Sequence, residues 1–380
     1  MKRKQVCLIA TIPFAIKVFM APHVKKLSTV YDVTLMANGK EEDLAELLNE
    51  HVRFISVPIE RHISISKDLK ALFFLFKLFV KYRFSSIHSI TPKAGLLAMT
   101  AGRLALTPVR IHTFTGQVWA TTTGRLRSIL MFMDKVMAFN ATNVFSDSPS
   151  QSTFLIEHGI VKKDEISILA DGSFNGVDIN RFRPDKIMRA KVRQELHINE
   201  DVVLFLYMGR LHIEKGLLDL FKAFSIAAKN NSKLELLIVG PNEGEFDEKI
   251  STLEVEFPNR IHRVGYTKTP EIYIATADVF CLPSYREGFG SVLIEAASSE
   301  VPSIASRIYG ITDAVEDGVT GILHTPKAEN EIADAMILLA TNEELRIKMG
   351  KNARERATKV FSEERVTNAF LSFYKTQIHS

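Results

Sequence analysis

The chain has 380 residues, 46% hydrophobic and 24% charged, which is long for one core and suited to two domains of ordinary size. That composition excludes a disordered or low-complexity chain, and no internal repeat runs through it. The net charge of +4 conceals an asymmetry: residues 1–180 hold 22 Lys and Arg against 15 Asp and Glu, near +7, and the remainder holds 26 against 29, near −3. A basic half suits nucleic acid, an anionic membrane surface or a phosphate-bearing substrate, or is merely an uneven solvated surface; charge alone does not choose.

The opening MKRKQVCLIATIPF has a basic tip but a short apolar run and no small-residue cleavage site, so it reads as a first strand over 5–11 and not as a signal peptide. Cys7 and Cys281 lie in apolar runs with no CxxC and no clustered His, as buried thiols of a reducing compartment do. Further strands are expected at 31–37, 52–58, 86–90, 108–114, 143–148 and 165–170, with helical patterns at 69–82, 94–106 and 124–139. Such alternation makes a parallel sheet with helical crossovers.

The stretch LKALFFLFKLFVKYRF, 69–84, is too short and too often interrupted by lysine to span a bilayer. On a helix, Lys70, Lys77 and Lys81 share a narrow arc beside apolar residues that include Phe73 and Phe76. That pattern suits an interfacial helix, and equally a helix packed on a sheet with lysine stems lying over apolar surface.

At NGVDINRFRPDK, 175–186, a polar Pro-containing stretch marks the expected boundary. NGVD itself reads as a hinge turn, since Asn-Gly takes positive φ at little cost. A second alternation follows: strands in DVVLFLYMGRL, KLELLIVG, RIHRVGY, ADVFCLPS and VPSIASRI, with a helix in KGLLDLFKAFSIAAK and helical, charge-rich sequence from 342 to 378. The fold class is therefore α/β, with two doubly wound Rossmann-like domains facing across a cleft. The expected boundaries are 1–180, 181–365 and a final helix, 366–380, packing back on the first domain.

Two strand ends in the second half carry candidate chemistry. After VLFLYM come Gly209, Arg210 and, at a helix start, Lys215. Arg210 can fork two phosphate oxygens, Lys215 adds a mobile point charge, and Gly209 admits a close backbone approach, the outline of a diphosphate site. After DVFCLPSY comes REGFGSVLIE, with Gly288 and Gly290 before a helix start and acids at both ends, Glu287 and Glu295. Backbone amides at such a start accept phosphate or hydroxyl oxygens. Eight residues at a helical rise span at most about 12 Å, which suits one carboxylate on each of two polyols held apart by a diphosphate. A glycosidase pair needs carboxyls about 5–9.5 Å apart facing one bond, and leaves Arg210 and Lys215 unexplained.

The Glu287 to Glu295 element with its GFGSVLI interior, together with GRLHIEKG, NGVD and EDGVTGIL, resembles the retaining glycosyltransferases of family 4, which have the two-domain GT-B fold. HSITPKAGLLA and VRIHTFTGQVW are more loosely similar to bacterial enzymes that build polysaccharides, such as O-antigen or capsule, on lipid carriers. The resemblance implies a nucleotide-sugar donor, a UDP-sugar, carrying a hexosyl or N-acetylhexosaminyl group. It assigns the sugar hydroxyls to Glu287 and the backbone at Gly288, Phe289 and Gly290, with Ser291 and Val292 beside them. The ribose falls to Glu295, the diphosphate to Arg210 and Lys215, and the base to Val264–Tyr266. It implies transfer with retention, no side-chain nucleophile, no metal and no cofactor. It also implies, as acceptor, a polyprenyl-diphosphate-linked saccharide met at the inner face of the cell membrane by a cytoplasmic, peripheral enzyme, with no nucleic-acid partner.

Two positions depart from the family pattern. The Gly-Gly pair after the first strand is replaced by ATIPFAIKVF, and a His-Gly near the end of the 108–115 strand is replaced by Thr115-Gly116, with His112 on the opposite face. His112 is therefore a candidate catalytic histidine only in place of the missing one, and His88 and Lys93 are further acceptor-side candidates. The alternatives are a nucleotide-sugar epimerase of similar fold and a nucleotide-sugar-binding protein without turnover. A Rossmann dehydrogenase is disfavoured, because no G-x-G-x-x-G follows the first strand.

Overall fold

The computed structural model describes residues 3–379 apart from 230 and 245. The chain forms two units, residues 1–176 with 363–380, and residues 177–362.

The first unit is a parallel sheet of β1 (Gln5–Ile9), β2 (Asp32–Ala37), β3 (Val52–Ser56), β4 (Ser86–Ser89), β5 (Val109–Phe114), β6 (Asn143–Ser146) and β7 (Ile166–Ile168), in the order β3-β2-β1-β4-β5-β6-β7. β1 is apolar at both parities, and β4 is buried at every position, because both faces of the sheet are covered. Val6 and Leu8 enter one core with Phe370 and Tyr374, while Cys7 and Ile9 enter the other with Leu75 and Phe79. The first core is closed by the last helix, Glu363–His379, whose Val366, Phe370, Tyr374 and Ile378 recur at four-residue spacing and are all buried.

The second unit is built the same way from β8 (Val203–Met208), β9 (Leu234–Val239), β10 (Ile261–Val264), β11 (Val279–Leu282), β12 (Ser303–Ser306) and β13 (Gly321–His324), ordered β10-β9-β8-β11-β12-β13 and parallel throughout. Val203, Phe205 and Tyr207 face one core and Leu204, Leu206 and Met208 the other. Under β11, Arg193 is 1% exposed and donates to Asp278 at 2.7 Å. Asp278 also accepts from Leu204 N at 2.7 Å, so one carboxylate ties a helix to two strand ends.

Several elements differ from expectation. The segment after β1 is no open loop: helices Pro13–Phe19 and Ala21–Ser28 occupy it, each with Pro in its first turn, where the missing N–H costs nothing. The Lys-rich helix starts earlier, at Ile65, and buries Ala71, Leu75 and Phe79 while Lys70, Lys77 and Lys81 stay exposed. β13 arises in the GVTGILH stretch, whose short apolar run carries no alternation.

Candidate active site

β8 and β11 are hydrogen-bonded neighbours, yet the chain leaves them toward opposite edges, through β9 to β10 and through β12 to β13. Their C-terminal ends form the switch point of the sheet, where diverging loops leave a ligand crevice. One loop passes through Gly209 and Arg210 to a 3-10 turn, Ile213–Lys215; the other runs from Pro283 to Gly290, where the helix Ser291–Ser298 begins. Gly216 brings the loops together: it takes φ 68°, and a Cβ there would sit 2.0 Å from Pro283 O.

At that contact Lys215 Nζ donates to Glu287 Oε1 at 2.6 Å, and Ser284 Oγ donates to the same oxygen at 2.8 Å. The two charged side chains are 20% and 14% exposed, desolvated enough to strengthen the pair and open enough to meet a ligand. Three further bonds brace the loop. Tyr285 OH donates to Asp219 Oδ2 at 2.7 Å, Arg286 Nη2 to Glu214 Oε2 at 2.7 Å, and Tyr285 N to Glu214 O at 2.9 Å.

Arg210 is held differently. Its guanidinium donates to Glu243 at 2.7 Å with both side chains about half exposed, a pairing worth about 1 kcal/mol at most. A diphosphate can displace Glu243 at small cost. Phe289 is 3% exposed with its ring against Phe361, so only its backbone is available. Gly290 takes φ 73° at the helix N-cap, ahead of Ser291 and Val292. Glu295 is half-buried in that helix; burial pushes its carboxyl up to about 7, with Arg181 pulling it down and Glu271 adding to the rise. Tyr266 lies just beyond β10 and is 63% exposed. Among the described residues, no three His, Cys, Asp or Glu side chains form a metal-binding cluster.

In the first unit the candidate histidines, His88 and His112, are both enclosed. His88 is buried, bonding Thr113 Oγ1 at 2.8 Å and Tyr374 OH at 3.1 Å. His112 is buried on the other face, where Nδ1 meets Ser89 Oγ at 2.8 Å. Both sit on central strands covered on both sides, so neither parity reaches solvent. Burial lowers both imidazoles, that of His112 to about 3, and both are neutral at pH 7. Thr115 lies past the end of β5, its hydroxyl donating to Ile90 O at 3.1 Å, and Gly116 follows at φ 130°. Lys93 is 2.6 Å from Asp68.

Sequence reasoning missed the braces Ser284, Tyr285, Arg286, Glu214 and Asp219, whose only signal was charge in IEKG and SYREG. It also missed Gln117 and Asp147, buried past the ends of β5 and β6. Gln117 Nε2 and Asp147 Oδ1 have no hydrogen-bond partner among the described residues, and burial pushes the Asp147 carboxyl up to about 8.

Residues 188–356 match the family model described as Glycosyl transferases group 1, and residues 28–172 match that of the Glycosyl transferase 4-like domain. Over 344 residues the chain is 32% identical to the capsular polysaccharide biosynthesis glycosyltransferase CapM of Staphylococcus aureus, covering 90% of this chain and 88% of that one. The chain belongs to the family 4 glycosyltransferases. An Escherichia coli family relative, UDP-Gal:alpha-D-GlcNAc-diphosphoundecaprenol alpha-1,3-galactosyltransferase, is 26% identical over 87% of this chain and 86% of its own. The fold matches that of a sucrose-phosphate synthase from Thermosynechococcus elongatus with a TM-score of 0.83 at 22% identity, over 99% of this chain and 100% of that one. The glycosyltransferase is thus of the GT-B class, and the Lys215–Glu287 pair stands in the domain that the group 1 model covers.

Proposed function

We propose that this glycosyltransferase moves a sugar, with retention and without a metal, from a UDP-sugar to a hydroxyl of a polyprenyl-diphosphate-linked saccharide in surface polysaccharide synthesis. The observation that carries this is the convergence of Lys215, Glu287 and Ser284 at the β8/β11 switch point, with Arg210 on the adjoining loop. The names of the relatives, one capsular and one acting on a diphosphoundecaprenol-linked sugar, support the acceptor class and the UDP donor.

Breaking the anomeric bond loads negative charge on the departing diphosphate. Fixed cations aimed at that charge lower the barrier more than any contact equal in ground and transition states. Arg210 and Lys215 are those cations. Glu287 keeps Lys215 oriented and offers its second carboxylate oxygen to the sugar, as a positioning group and not as a covalent nucleophile. Glu295 takes the ribose and Tyr266 flanks the base. The acceptor hydroxyl attacks from the face the diphosphate leaves and passes its proton to an oxygen of that diphosphate as the anomeric bond breaks, so no buried histidine is needed.

No helix among the described residues is long and apolar enough to cross a membrane. The exposed face of the Ile65–Tyr82 helix alternates Leu69, Phe73, Phe74 and Val80 with Lys70, Lys77 and Lys81, which supports peripheral contact with an anionic inner membrane face. The test is a panel of nucleotide sugars offered with a polyprenyl-diphosphate-linked saccharide, with and without chelator. Turnover with a UDP-sugar, unchanged by chelator, is expected. Turnover restored only by a divalent metal contradicts the metal-free mechanism, and nucleotide binding without any transfer leaves a binding protein.

A further inference from the structure

The first unit carries an apolar groove with no part in donor binding. It is formed by the helices Ile65–Tyr82, Pro92–Leu104 and Gly124–Asn140 and has a volume of about 340 Å³, within the usual range for a small-molecule site. Leu72, Leu96, Leu97, Leu130 and Met133 line it, and Ile63, Ile65 and Leu69 form a lip that is 62%, 78% and 61% exposed.

Two further features set this surface apart. Beside its exposed lip, the Ile65–Tyr82 helix leaves Phe73 and Phe74 exposed as well. Residues 61–140 also hold 12 Lys and Arg against only Asp68 and Asp134. Both acids are withdrawn from the surface: Asp68 pairs with Lys93 at 2.6 Å, and Asp134 is 8% exposed and accepts from Trp119 Nε1 at 2.7 Å. On the rim of this alkyl-lined recess Lys93 and Asp68 neutralise each other, while Arg61 is exposed and makes no ion pair among the described residues. A flat membrane contact requires apolar area and positive charge but no recess. A recess of this kind suits a single alkyl chain ending in an anion.

We propose that this groove seats the first isoprene units of a polyprenyl diphosphate, with the diphosphate against Arg61. This rests on the lipid-linked acceptor proposed above, and it gives the acceptor's lipid a subsite of its own on the protein. Each methylene that enters is worth roughly fourfold in affinity, so chain length is read until the groove is full.

The test uses the full chain without membranes and a farnesyl diphosphate carrying a terminal diazirine. Photolabelling is expected on groove residues, competed by unlabelled farnesyl diphosphate and at least tenfold less well by farnesol or inorganic diphosphate. Leu96→Trp, which fills the recess, and Arg61→Glu should each reduce labelling at least tenfold while UDP binding stays at the wild-type value, showing the variants folded. Leu96→Trp should also raise KM for the lipid-linked acceptor with kcat unchanged. Label outside the groove, label unaffected by Leu96→Trp, or vesicle binding lost in step with labelling each overturn the groove, the last by making it only a membrane contact. Transfer to the lipid-linked acceptor with equal KM in wild type and Leu96→Trp overturns the groove alone. No transfer to any lipid-linked acceptor overturns the proposed function instead.

Discussion

Lys215 and Glu287 come from loops after two different strands and meet at 2.6 Å, with Ser284 sharing the same carboxylate oxygen. The cation assigned to the leaving diphosphate is thus oriented by the acid assigned to the sugar. Removing the negative charge of Glu287 should strip the transferred sugar of a hydrogen-bond partner while Lys215 keeps its charge for the diphosphate. Glu287→Gln is expected to lower kcat by about 100-fold or more and to change the Kd of UDP by less than about threefold. Calorimetric titration with UDP, set beside turnover, checks this. Equal losses in both would place Glu287 on the nucleotide instead.

Glu295 supplies a pH signature. Its carboxyl is held near 7 by burial, and ribose hydroxyls donate best to the ionised form, so nucleotide binding releases a proton below that pH. UDP affinity should rise as pH increases from 6, where it is about tenfold below its plateau, and level off above 7. In Glu295→Gln that component should vanish, leaving only the titration of the nucleotide itself. Superimposable profiles for the two proteins would remove Glu295 from the ribose site.

The approach of the two loops depends on Gly216, whose added Cβ would meet the carbonyl of Pro283 at 2.0 Å. Because that obstacle is backbone, it cannot rotate aside, and Gly216→Ala must push Lys215 and Glu287 apart. A loss of kcat of about 100-fold is expected, as for a misplacement of about 1 Å, with the melting transition preserved. Wild-type turnover in a folded variant would show that the pair does not set the rate.

Much of this was legible beforehand. Buried strands read as continuous apolar runs, and Gly209, Arg210, Lys215 and Glu287 were visible because strand–loop–helix patterning puts them at strand ends. What the sequence could not show was pairing across 72 residues: Lys215 and Glu287 were assigned to different parts of the donor, and nothing in their spacing says that they touch. Nor could it show burial at both parities, which encloses His88 and His112 in opposite cores. The short helices after β1 escaped because seven or eight residues give periodicity too little length to speak.

The buried pair of Arg193 and Asp278 has structural consequences only. Asp278→Ala leaves a buried guanidinium without its partner and should cost about 3–5 kcal/mol, read as a fall in urea midpoint. An unchanged midpoint would show that solvent or Glu200, 3.8 Å from Arg193, takes over.

For the membrane face, wild-type enzyme should sediment with anionic vesicles. A variant carrying Lys70→Gln, Lys77→Gln and Lys81→Gln should require lower salt to do so, since each basic residue near an anionic surface contributes about 1 kcal/mol. Absence of vesicle binding by the wild type would take the Ile65–Tyr82 helix out of the account.

The most direct measurement is the anomeric configuration of the product formed from a UDP-sugar and a polyprenyl-diphosphate-linked saccharide, followed by NMR from the first turnovers. The configuration of the donor should be kept, and Glu287→Gln should form no product while still binding UDP. An inverted product, or transfer at the wild-type rate by Glu287→Gln, would contradict this mechanism.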